Sequence, residues 1–294
     1  MSETVRRLRF RAARTPLRAP FAWWRHRDIK PDDVFLASFE RSGSTWLRFL
    51  LCELLTGDSA AFERINSVIP EMGRQAGIPP VLPGKHRLIK THESYRPVYH
   101  RAIYLVRDLR DVLLSNFARM EEMDFVRFFS ADRSLDGYLA AFLKGKTAPF
   151  GSWQHHVNSW FDSPLEARGD LLTIRFENLR KDTEPNLARI VNFLGIKADS
   201  EALRRAIENN SLERMRAKED ATRKSGAEAG LLKMHRSSRE DGRFVRNGAV
   251  GGWRAKLTPE QLKMIDLCAG SALQRAGYEQ TAASSQRDRI GVQA

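Results

Sequence analysis

The chain is short of cysteine, of acidic charge and of long apolar runs, and each shortage closes off a class of protein. Only Cys52 and Cys268 occur among 294 residues. Neither a disulfide framework nor a cysteine metal cluster is available to such a sequence, and a reducing cytoplasm is the expected setting. No apolar run approaches the roughly 20 residues of a membrane span, and none has the form of a signal peptide. Asp and Glu number 36 against 49 Lys and Arg, a formal net charge of +13. That excess favours polyanionic ligands, whether nucleotides, nucleic acid, acidic glycans or anionic lipid surfaces, and does not choose among them. The Gly-x-x-x-x-Gly-Lys-Ser/Thr spacing of a Walker A loop is missing too, so an ATP-magnesium site of that kind is not expected.

What is present is enough apolar material for a sizeable core: 42% hydrophobic residues, with 16 Phe. Short apolar runs at 34–39, 87–92, 102–106 and 171–176 read as strands. Helical patterns follow at about 44–55, 111–123, 134–143, 153–160, 184–194, 200–208 and 259–276. Strands alternating with helices imply a mostly parallel sheet covered on both faces. Residues 57–86, rich in Gly and Pro, read as a long substrate-facing loop. Residues 216–242, charged and without apolar periodicity, read as a mobile lid. The expected organisation is a basic, flexible extension over 1–32, one domain over 33–278 and a flexible tail over 279–294. Within the extension, residues 5–27 carry eight Arg and Trp23-Trp24. Such a stretch reads as a solvated basic arm or as one resting on an anionic membrane or a partner.

The most telling stretch is the first strand with its exit, Glu40-Arg41-Ser42-Gly43-Ser44-Thr45-Trp46. Gly43 permits a tight turn, Ser44 and Thr45 supply hydroxyls, and Arg41 sets a fixed charge beside the unpaired N–H groups of a helix N-terminus. In a parallel sheet, ligands gather at the C-terminal ends of strands. Lys90 and His92 end the second strand and Arg107 ends the third. Ser115, two turns into the next helix, faces the same region.

With these residues in place, the chain resembles the sulfotransferases that use 3′-phosphoadenosine-5′-phosphosulfate, in the branch containing the cytosolic small-molecule enzymes. Arg41-Ser-Gly-Ser-Thr-Trp46 is similar to the family's 5′-phosphosulfate loop, Tyr104-Leu-Val-Arg107 through Ser115 to its 3′-phosphate motif, and Lys90-Thr91-His92 to its catalytic strand end. The likeness continues through Phe142-Leu-Lys-Gly-Lys146, Gly151-Ser-Trp153, Arg175-Phe-Glu-Asn-Leu179, Phe244-Val-Arg246-Asn-Gly248 and Gly251-Gly-Trp253, covering about 33–277. It implies a single P-loop-like three-layer α/β domain with a central, mostly parallel sheet flanked by helices.

The resemblance also implies an activity. A sulfuryl group would pass to an acceptor hydroxyl or amine, with adenosine 3′,5′-bisphosphate leaving and no metal required. His92 would be the general base, while Lys90 and Arg41 would stabilise charge on the transferring group. Arg41, Ser42, Gly43, Ser44, Thr45 and Trp46 would hold the nucleotide, Trp46 by stacking on adenine. Arg107 and Ser115 would take the 3′-phosphate, with Arg246, Asn247 and Gly248 closing over it and Phe176 and Asn210 adding contacts.

Several positions depart from the family pattern. Arg41 stands for a Lys, Phe176 for a Tyr and Asn247 for a Lys; Pro259 and Lys263 degrade the dimer motif, so no dimer is predicted. The acceptor is open among small molecules, lipids and carbohydrates, with Phe125, Phe128, Phe129 and Tyr138 either lining its pocket or forming helix core. His155, His156, Trp153 and Trp160 read as packing, and Glu177 as a structural carboxylate. Two other functions compete. One is a non-enzymatic nucleic-acid or acidic-glycan binding protein, although no nucleic-acid motif is present; the other is a kinase-like phosphoryl transferase.

Overall fold

In a computed structural model of the protein, residues 23–122, 125–225, 244–246 and 248–281 are described. The four apolar runs form β1 (Val34–Ser38), β2 (Leu88–Thr91), β3 (Arg101–Val106) and β4 (Leu171–Arg175). They pair in parallel, in the order β2-β1-β3-β4. Alternation along each strand divides the interior in two. Phe35, Ala37, Ile89, Ala102 and Tyr104 enter one buried cluster, while Val34, Leu36, Leu88, Ile103 and Leu105 enter the other. A sheet buried on both faces needs helices on both sides, which is the three-layer arrangement expected.

Helix α1 (Ser44–Thr56) follows β1, and a short α2 (Ile65–Val68) lies within the loop that leads to β2. Helices α3 (Leu109–Glu122), α4 (Leu135–Leu143) and α5 (Trp153–Phe161) separate β3 from β4. After β4 come α6 (Phe176–Lys181), α7 (Thr183–Leu194), α8 (Ser200–Asn209), α9 (Leu212–Lys224) and, last, α10 (Pro259–Arg275). Their starts are written in the sequence. Ser134, Ser152, Asp199 and Ser211 each accept a hydrogen bond from a first-turn N–H, and Thr258 forms a capping box with Gln261.

Three expectations change. Phe176 opens α6 instead of closing the fourth strand, because β4 stops pairing at Arg175. The segment 216–224, expected in a lid, is the body of α9, whose Met215, Glu219 and Thr222 are buried; residues 226–242 of that lid lie outside the described residues. The 57–86 loop carries α2, and an isolated parallel bridge joins Glu71 to Lys90, so it is tied to the sheet edge.

The described part of the N-terminal extension is fastened as well. Arg25 and Asp28 bind the body through Gln75 and Arg87, while Trp23 beside them is 72% exposed. Residues 5–22 of the proposed basic arm lie outside the described region. The anchor next to the site is Glu93, 2% exposed, which accepts from Arg25 Nη1 at 3.1 Å, His26 Nε2 at 3.0 Å and Arg96 Nε at 2.8 Å. Burial opposes its ionisation, but the His26 hydrogen bond and the charges of Arg25 and Arg96 hold its carboxyl at about 2. A depressed carboxyl contributes stability above its ordinary value, 4.5, which is lost as pH falls towards 2. Glu93→Gln is expected to cost about 2 kcal/mol at neutral pH, by removing the buried carboxylate that the partly exposed Arg25 and Arg96 guanidiniums share, and to flatten the acid limb. Urea unfolding across that pH range reads both effects.

Candidate functional site

The turn after β1 is built from two residues with positive φ. Arg41 has φ 67°, and Gly43, φ 91°, is the residue before α1. Among the described residues no side chain caps α1 at this end, and Gly43, Ser44, Thr45 and Trp46 line a cavity there. A Cβ at Gly43 would lie 2.4 Å from the Phe176 ring, so glycine is required by space as well as by φ. Gly43→Ala is expected to destabilise the fold by about 2 kcal/mol, from strain and ring displacement. Urea unfolding of the purified variant measures it.

Phe176 is central to the local packing. Its ring meets Trp46 edge-on, with centroids 6.3 Å apart, and carries the Arg107 guanidinium 4.7 Å from its centre. Arg107, 7% exposed, donates through Nη1 to the Arg41 carbonyl at 2.9 Å and through Nη2 to the Ala249 carbonyl at 2.8 Å; among the described residues Nε has no hydrogen-bond partner. One side chain thus ties the turn after β1 to the segment containing Gly248. Asp111 completes the tie by accepting from the N–H groups of Gly251 and Trp253. Arg41 Nε donates to Ser115 Oγ at 3.1 Å. Burial, together with Arg119, Arg246 and Arg107 around it, lowers the Arg41 guanidinium to about 10. It remains charged at neutral pH, and the crowding of four arginines is a field built for an anion.

At the C-terminal end of β2, Lys90 and His92 line the same cavity. His92 Nδ1 lies 2.7 Å from the Ser38 carbonyl oxygen. A carbonyl only accepts, so Nδ1 carries the proton and Nε2 is left with its lone pair. Burial and then the Lys90 charge push the His92 imidazole well below its usual range, so it is neutral at physiological pH. Lys90, 6% exposed, donates to Glu71 Oε1 at 2.9 Å. Glu40 also lines this cavity, and burial raises its carboxyl despite the charges of Lys90 and Arg41.

One cavity of about 1200 Å³ joins all of this. Arg41, Gly43, Ser44, Thr45, Trp46, Lys90, His92, Arg107, Ser115, Phe176, Arg246 and Gly248 all line it. Two expected residues do not. Ser42 is fully buried, its Oγ without a partner. Asn210 is also fully buried, and its amide is held by Glu53, the Ala206 carbonyl and Lys218. Asn210 meets the site only through its carbonyl, which accepts from Trp46 Nε1 at 2.9 Å. Its side chain is committed to the α1–α8 contact, so the expected direct ligand contact becomes support for Trp46. Asn247 lies outside the described residues.

Phe125, Phe128 and Phe129 line the cavity beside Phe117 and Met120, whereas Tyr138 is fully buried behind Phe117 and Phe129. His156 and both Trp153 and Trp160 are core, and Glu177 accepts from the Asp108 N–H and the Tyr278 hydroxyl. Sequence reasoning missed Glu71, Arg119 and Arg180. Arg119 had a signal, since it lies one turn beyond Ser115 on the same helix. Arg180, 5.2 Å from the Trp46 ring centre, lies one turn past Phe176. Glu71 sits in an aperiodic loop and had none.

Comparison with known proteins places this arrangement. Residues 31–277 match the family described as "Sulfotransferase domain". Human sulfotransferase 2A1 is 26% identical over 252 residues, covering 81% of this chain and 83% of that protein. Mouse sulfotransferase SULT7A1, solved in complex with PAP, is 25% identical with a TM-score of 0.61 over 86% of this chain and 88% of that one. Retinol dehydratase, solved with retinol and PAP, shares the fold with a TM-score of 0.65 at 20% identity, over 88% and 86% of the two chains.

Proposed function

The chain belongs to the sulfotransferase family, and from that premise we propose that it transfers a sulfuryl group from 3′-phosphoadenosine-5′-phosphosulfate to a hydroxyl or amine of a small-molecule acceptor. The observation that carries this reading is one cavity lined both by Arg41, Arg107, Arg119 and Arg246 and by Lys90 and a neutral His92 whose Nδ1 proton is engaged by the Ser38 carbonyl.

The residues present fit the donor. Arg119, Arg246 and Arg107 each repel Arg41, which an anion relieves, and Arg107 has a buried Nε, unpartnered among the described residues, to offer one. Arg107 and Ser115 would take the 3′-phosphate with Arg246 and the Gly248 backbone, and Trp46 and Phe176 the base. Ser44, Thr45 and the first N–H groups of α1 would receive the 5′ end. The donor supplies an activated sulfuryl group. His92 Nε2 accepts the acceptor's proton as the acceptor oxygen or nitrogen bonds to sulfur. The sulfur–oxygen bond to the 5′-phosphate breaks, and adenosine 3′,5′-bisphosphate leaves with that electron pair. Lys90 and Arg41 offset the charge that develops on the sulfuryl oxygens and the departing phosphate.

The acceptor would place an apolar part against Phe117, Phe125 and Phe128, with its reacting group near His92. Isothermal titration with adenosine 3′,5′-bisphosphate is expected to show one-to-one binding, and turnover of labelled donor with a panel of hydroxylated acceptors to yield sulfated product. Absence of nucleotide binding would remove the reading in favour of a passive polyanion binder.

A further inference from the structure

Lys90 carries a burden the proposed reaction does not by itself explain. Burial of an ammonium that is 6% exposed, and then the Arg48 charge, press it to give up its proton, yet charge stabilisation requires it protonated. The groups facing it come from four elements. Arg48 reaches from α1, Glu40 from the turn after β1, His92 from the end of its own strand, and Glu71 from the loop before β2. Of these, only Glu71 forms an ion pair with it, at 2.9 Å.

Glu71 is not there by chance of loop conformation. The Lys90 N–H donates to the Pro70 carbonyl and the Met72 N–H to the Lys90 carbonyl, both at 2.8 Å, so residues 70–72 lie beside β2 in fixed register. Arg48, fully buried, donates to Asn66 Oδ1 and to the Ile69 carbonyl, and its Nη1 is 3.6 Å from Glu71 Oε1. The carboxylate is therefore clamped between Arg48, on the helix that begins at the anion-binding turn, and Lys90. These two cations outweigh its burial and hold it ionised, at about 2.

We propose that Glu71 is a positioning residue for Lys90, keeping its ammonium charged and orienting the remaining two N–H bonds into the cavity. The proposal rests on the sulfotransferase reading for its purpose but not for its geometry. Direct participation of Glu71 in proton transfer is not part of it: a carboxylate engaged by two cations is a poor base, and His92 Nε2 is available.

The test separates the ion pair from the loop's own fastening, since Glu71→Gln leaves both backbone hydrogen bonds of the bridge in place. Trace acetylation of the full chain with acetic anhydride, across the neutral to alkaline range, reads the Lys90 protonation midpoint by peptide mass spectrometry and needs no turnover. In Glu71→Gln that midpoint is expected to fall by at least about one pH unit, a tenfold change in proton affinity, with Glu71→Asp restoring part of it. The alkaline limb of kcat should move down in parallel, while affinity for adenosine 3′,5′-bisphosphate stays within a few-fold. An unchanged Lys90 midpoint in Glu71→Gln would overturn the proposal, as would a fall in kcat with no movement of its pH limb. If the midpoint moves but the parent protein turns over no phosphosulfate donor, the Glu71 inference stands and the transferase reading fails.

Discussion

His92→Ala is expected to lower kcat by about 10²- to 10⁴-fold, the usual worth of a positioned general base, while nucleotide affinity stays within a few-fold. The split follows from where the ring sits. Its Nδ1 proton is committed to the Ser38 carbonyl at the end of β1, so the imidazole is fixed in one tautomer with Nε2 as the reacting atom. The arginines that would hold the nucleotide belong to other elements: Arg41 to the turn after β1, Arg107 to the end of β3, Arg246 to the segment ahead of α10. Because burial and Lys90 depress its proton affinity, His92 remains unprotonated below the usual histidine range. The acid limb of kcat/KM is therefore expected below pH 6.5, and its loss in His92→Gln would identify the titrating group. Stopped or labelled-donor assays of kcat beside calorimetric Kd values make the comparison. Preserved turnover in His92→Ala removes His92 from the base role.

Arg107→Ala should weaken adenosine 3′,5′-bisphosphate by several hundred-fold, about 3 to 4 kcal/mol from lost charge-assisted hydrogen bonds and lost local order. The sequence alone suggests a purely ligand-facing residue, whose loss would spare a nucleotide lacking the 3′-phosphate. The structure adds a second task. Arg107 donates to the carbonyls of Arg41 and Ala249, and so ties the turn after β1 to the segment containing Gly248. Both the bisphosphate and the 5′-monophosphate should therefore lose affinity, the former by at least tenfold more, as about 1.4 kcal/mol of direct phosphate contact requires. Equal losses would leave Arg107 as a structural tie without a phosphate.

Much of this was legible because it is local. The strand, Gly43, the hydroxyls and the helix that follow one another over 34–56 appear as a turn in any fold, since left-handed φ and helix-start chemistry are properties of neighbouring residues. Alternating apolar runs likewise announced a parallel sheet with two cores. Asn210 and Glu71 were not legible, for opposite reasons. Asn210 was placed on the ligand from a motif position, whereas its amide is taken up by Glu53 and Lys218 from neighbouring helices. Glu71 lies 19 residues from its partner Lys90 in a stretch without periodicity, and nothing short of strand-edge pairing brings them together.

The sequence by itself determined the sheet, the phosphate-seeking turn, the lysine-histidine strand end and the cationic character of the whole, because each follows from residue type and short spacing. Tertiary structure alone decided the tautomer of His92, the Arg107 hydrogen bonds that join the Arg41 and Ala249 carbonyls, and the Glu71–Lys90 ion pair. Proton position and charge state depend on which distant backbone carbonyl or carboxylate comes within hydrogen-bond reach, and only the packing of β1, β2, β3 and their loops sets those distances.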